Sequence, residues 1–160
     1  YLMFAAAGGL LVTLALLAIL RLPITAALAQ AAIVLMLSAW GVKLAWWRLA
    51  GMAKQAGSIE SATGLGALGA VRPLMPPHTE ENYLQHEMGF VVARKHADKL
   101  RMIALLLGGG MPVVILVLAP ASAGALAVAV LAHVAGMFVE RWLFFAEAKH
   151  VVTLYYGEAA

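Results

Sequence analysis

LMFAAAGGLLVTLALLAIL, residues 2–20, contains no charged side chain. At roughly 1.5 Å per residue, a helix of that length crosses a hydrocarbon core of about 30 Å. Arg21 and Pro23 end the run. Residues 24–47 repeat the pattern with Lys43 as their only charge, and Trp40, Trp46, Trp47 and Arg48 form the aromatic and basic edge expected at a membrane interface, where Lys43 can snorkel. Further along, residues 102–118 make a third apolar run. Gly108, Gly109, Gly110 and Pro112 interrupt it, which in a membrane helix signals close packing or a kink rather than an end. Pro120 and Ser122 then turn the chain into a fourth run, residues 123–145. The whole is 64% hydrophobic and 12% charged, a balance that a water-soluble core of 160 residues cannot bury. The expected fold class is all-α: a polytopic transmembrane helix bundle of four spans, forming one membrane domain over residues 1–160.

The one long polar section, residues 49–101, lies outside the bilayer in this reading. Its first part, 58–77, is rich in Gly, Ser and Pro and reads as irregular loop. In its second part Thr79 is a plausible N-cap before Glu80 and Glu81, and Leu84, Met88, Val91 and Val92 follow at helical spacing, so an interfacial helix is expected over about 80–100. The last helix is expected to run on past the lipid through 146–156, since more than thirty helical residues extend roughly 50 Å. Four spans put both chain ends and the long basic loop on one side, which the positive-inside rule makes cytoplasmic. Tyr1 opens directly on an apolar run, with no initiator Met, basic n-region or cleavage site, and so reads as the start of a fragment. Cysteine is absent, which excludes disulfides and thiolate ligands. A formal charge of only +3 is too small and too scattered for a nucleic-acid partner.

The fourth run carries the chemistry. His133, Glu140 and Glu147 recur every seven residues and therefore share one helix face, with His150 a turn beyond. Such groups face a bundle interior or a water-filled path and can relay protons. The bland alternative is that His133 is a hydrogen-bonded packing residue and the distal charges solvate a helix end. The first three spans hold no histidine, so His133 has no axial partner in mid-membrane and no haem is expected in this chain. His78, His86 and His96 match no zinc spacing, and no metal site is expected. The run 64–69, GLGALG, has the spacing of a dinucleotide fingerprint but neither follows a strand nor opens a helix, and reads as a linker. No nucleophile is paired with a base.

Two stretches carry a resemblance. Asn82-Tyr83-Leu84, Glu87-Met88-Gly89-Phe90, Arg94-Lys95-His96-Ala97 and Leu100-Arg101, followed by Glu140-Arg141-Trp142-Leu143-Phe144-Phe145-Ala146-Glu147-Ala148 and His150, resemble the C-terminal half of the membrane anchor subunit of dimethyl sulfoxide reductases. The likeness covers mainly residues 79–156, and the second stretch is the more specific. It implies the last four helices of an eight-span subunit in a bacterial cytoplasmic membrane. It also implies a subunit without haem that oxidises quinol, menaquinol or ubiquinol, and passes electrons to an iron–sulfur subunit beside a molybdopterin catalytic subunit. On this reading Glu140, Glu147 and His150 accept or relay the quinol protons, His133 extends the path inward, and Arg141 holds a carboxylate or a quinone oxygen. Glu87, Arg94, Lys95, His96 and Arg101 would then belong to the docking surface for the iron–sulfur subunit. Two other readings compete with it: a proton-coupled transporter with the polar stripe lining its path, and a purely structural anchor in which the stripe only pairs helices.

Overall fold

The computed structural model describes residues 1–52, 58–72, 74 and 95–147. Helix is the only regular structure among them, and four helices are long and apolar enough to cross a membrane. They are α1 (Leu2–Ile19), α2 (Ala26–Met52), α4 (Ala97–Leu118) and α5 (Ala123–Ala146). A short helix, α3 (Ile59–Thr63), lies in the polar section.

The spans differ from the expected ones at the polar end. Helix α2 continues past Trp47 to Met52, and α4 begins at Ala97, a turn before the apolar run. Backbone hydrogen bonding propagates along a helix already nucleated by its apolar part, so hydropathy alone cuts such a helix short. The section 58–72 is also more ordered than an irregular loop. Ser58 and Ser61 form a reciprocal capping box at the start of α3, and Gly64 closes it at φ 70, a left-handed conformation that glycine adopts without strain. The Ser58 hydroxyl also holds the Glu60 carboxyl below the usual carboxylate range. The glycines of the 64–69 run thus serve turns. Most of the expected interfacial helix, and the extension beyond Glu147, lie outside the described residues; Glu147 itself is the C-cap of α5.

At the opposite end the connections are tight. Arg21 turns the chain at φ 56, and the Thr25 hydroxyl accepts from the Leu28 amide at 3.3 Å as α2 starts. Ser122 caps α5 in the same way, accepting from Ala125. Each helix therefore runs antiparallel to its neighbours, in the ring α1, α2, α4, α5 and back to α1.

Each helix buries one stripe. In α1 it is Phe4, Ala7, Leu11, Leu14 and Ala15; in α5 it is Leu126, Ala129, Ala132, His133, Gly136, Glu140, Leu143 and Ala146. The three- and four-residue spacing is that of a single helix face. The opposite faces, with Leu16, Val34, Leu37, Val117, Leu131 and Phe138, are exposed and apolar, as lipid contact requires.

Helix α4 is not uniform. Between α-helical segments it passes through a π-helical turn, Leu106–Gly110. The closest approach of the bundle is here: a Cβ on Gly136 of α5 would run into the Gly108 backbone, and one on Gly108 or Gly109 would come within 2.6 Å of the Trp40 ring. The glycines admit backbone and indole to positions where any side chain would collide. Trp40 is accordingly a core residue, packed edge-on against Phe4 with ring centroids 5.0 Å apart, and not part of the interfacial belt.

Candidate functional site at the charged end

The antiparallel ring brings the start of α1, the end of α2, the start of α4 and the end of α5 together, and the ionisable side chains of the spans gather there. Glu140 is 1% exposed and lies between two cations. Lys43 of α2, 8% exposed, forms an ion pair with its Oε1, and Arg141 donates from Nε to its Oε2 at 2.6 Å. Two cations and one carboxylate leave the triad with an excess charge of +1. Two turns further along α5, Glu147 accepts from Arg101 Nη2 of α4 at 2.7 Å, and Arg101 also pairs with the exposed Asp98 at 3.1 Å.

Aromatic rings clothe the cations. Lys43 Nζ stands 4.3 Å from the centroid of Trp46, and the Arg141 guanidinium 3.6 Å from that of Tyr1. Phe144 lies within 5.6 Å of both. A ring face is negative by its quadrupole and partly replaces the water these charges have lost. Beside the triad is a cavity of about 300 Å³, whose polar wall is Lys43 and Arg141 and whose apolar wall includes Phe4, Val42, Trp46 and Phe144. That volume and lining suit a small ring bearing one or two oxygens.

His133 stands apart, two turns deeper in the bundle and 6% exposed. Its Nδ1 is 2.6 Å from the Gly108 carbonyl oxygen, and since a carbonyl only accepts, the proton is on Nδ1. Pro112 offers a local reason. In α-helical register the Gly108 carbonyl would accept from residue 112, which as proline has no N–H to give, and His133 supplies a donor instead. Gly8 of α1 leaves room for the other ring nitrogen, since a Cβ there would sit 3.1 Å from Nε2.

The structure thus brings together Glu140 and Arg141, sets Glu147 two turns away with Arg101, and gives His133 a backbone partner of its own. Arg101, expected on a docking surface, is half-buried and tied to α5. Lys95 and His96 are exposed just before α4. Glu87, Arg94 and His150 lie outside the described residues. The sequence reading left Lys43 out of the site, as a snorkelling residue, although Trp46 and Trp47 at the third and fourth positions after it are a legible cation–ring pattern. Among the described residues no group of three metal-ligating side chains converges. No protein family, curated protein or solved structure matches this chain, so the geometry of the charged end is what bears on its role.

Proposed function

We propose that the chain is the membrane anchor subunit of a respiratory molybdopterin oxidoreductase of the dimethyl sulfoxide reductase type, providing four spans of an eight-span subunit in a bacterial cytoplasmic membrane. The cavity beside the triad receives the headgroup of a quinol, menaquinol or ubiquinol. The observation that carries this reading is the pairing, in one membrane-level cavity, of two donor cations with an aromatic wall. Lys43 and Arg141 hold the quinol oxygens by charge-assisted hydrogen bonds, while Trp46 and Phe144 pack against the ring. Oxidation of one quinol to quinone releases two electrons and two protons. The electrons leave to an iron–sulfur subunit docked at the charged end, with Lys95 and His96 in its contact surface. Glu140 is a positioning residue that fixes both cations at the cavity wall, and the partly exposed Glu147 is the next carboxylate along α5 for the departing protons. His133, committed to Gly108, takes no part.

The test is saturable binding of a fluorescent hydroxyquinoline quinol analogue to the full chain in detergent. Lys43→Met removes one donor and leaves Glu140 paired with Arg141, whereas Val42→Trp fills the cavity and leaves the charges in place. Each should weaken binding about tenfold or more, as loss of a charged hydrogen bond predicts. Binding that ignores both substitutions would remove the cavity from the mechanism. A second reading, the purely structural anchor, is favoured by the fact that both carboxylates of the α5 stripe already have cationic partners; it predicts no saturable binding at all.

A further inference from the structure

Helices α2 and α4 touch at the π turn and beyond it, toward the Arg21 end, but part toward the charged end. The gap between them is a second cavity, of about 460 Å³, on a different face of α2 from the quinol cavity. Leu44, Met102 and Leu105 form its deeper, apolar walls, Trp47 one flank, and Arg48 and Arg101 its rim. Leu44 and Met102 are exposed, so the gap opens sideways toward lipid.

The rim offers donors that lack acceptors. Arg48 has no ion-pair partner among the described residues. The Arg101 guanidinium is engaged at its two terminal nitrogens, yet its buried Nε–H has no acceptor among them. Arg101 is shared between Glu147 and the almost wholly exposed Asp98, so with Arg48 the four charges sum to zero, and Arg48 is the cation of the rim that no carboxylate holds among the described residues. The rim lies a turn beyond Lys43 along α2, level with the aromatic edge of the apolar spans, and this is headgroup depth.

We infer that this gap is a binding site for an anionic glycerophospholipid, with the headgroup phosphate between Arg48 and Arg101 and one acyl chain along Leu44, Met102 and Leu105. A planar guanidinium suits phosphate, and basic recesses between membrane helices recognise such headgroups. A free phosphate would satisfy only the rim, and a soluble acidic partner would leave the apolar walls below uncovered.

The experiment uses the delipidated full chain in a non-ionic detergent, with thermal unfolding and native mass spectrometry as readouts. The probes are phosphatidylglycerol, phosphatidylcholine of the same acyl chains, and inorganic phosphate. Phosphatidylglycerol should be retained and should raise the unfolding temperature, whereas the other two should not. Arg48→Gln should weaken retention about fivefold, the factor that one basic residue near an anionic headgroup contributes. Leu44→Trp, which fills the gap and keeps both arginines, should weaken it further, and quinol-analogue binding should be unchanged in both variants. Equal retention of the two lipids, or indifference to Arg48→Gln, overturns the inference. Stabilisation by inorganic phosphate equal to that by phosphatidylglycerol overturns it too, by assigning the arginines to a free anion.

Discussion

A carboxylate carried into a membrane bundle must either bind a proton or find a cation, because the isolated charge is too costly to bury. Glu140 has two cations, one from α2 across the bundle and one from its own helix. Removing its charge would therefore leave Lys43 and Arg141 side by side with nothing between them. Glu140→Gln should destabilise the bundle by about 3–5 kcal/mol, the usual cost of breaking a buried pair. Lys43→Met leaves a neutral pair and should cost clearly less. Unfolding of the two variants in mixed micelles compares them directly, and equal small losses would mean that the triad is not under this electrostatic load. The buried face of α5 was legible because seven residues are nearly two helical turns, so His133, Glu140 and Glu147 had to align. That Lys43 meets Glu140 was not, since it depends on the register of α2 against α5, which no periodicity within either helix encodes.

The same limit applies one level up, in α4. Three consecutive glycines and a proline announced an irregularity without saying which. A π turn differs from an α turn by one residue in its hydrogen-bonding step, and here it coincides with the close packing of Trp40 and Gly136 against the glycines. The consequence at this scale is a link between Pro112 and His133. If His133 is retained because proline denies the Gly108 carbonyl its α-helical donor, then His133→Ala should cost about 1–3 kcal/mol in the native chain, the price of an unsatisfied buried acceptor. Restoring an N–H with Pro112→Ala should make the same histidine substitution nearly neutral. A double-mutant cycle on thermal unfolding measures the coupling. Additive effects of the two substitutions would separate the histidine from the proline and reopen a role for His133 in proton transfer.

For the whole molecule, the distribution of charge between its two ends decides which way it sits. Lys43, Arg48, Arg101 and Arg141 lie at one end of the described spans, whereas Arg21 alone marks the other. Cationic side chains flanking spans resist translocation, so the charged end should face the cytoplasm and the Arg21 and Ser122 turns the outside. The four apolar runs made the antiparallel count legible, and with it the end at which these four cations lie; the folded ring adds which carboxylates they meet. With no cysteine in the sequence, the orientation can be read from single substitutions on a silent background. Ser122→Cys, in the α4–α5 turn, should react with a membrane-impermeant maleimide in intact cells. Ser58→Cys, an exposed residue after α2, should react only once the membrane is opened. The reverse pattern would put the triad, the cavity beside it and the exposed Lys95 and His96 on the outer face. Under the proposed function, an electron-accepting subunit would then have to dock from outside, and quinol protons would be released there, contributing to the transmembrane proton gradient instead of returning to the cytoplasm.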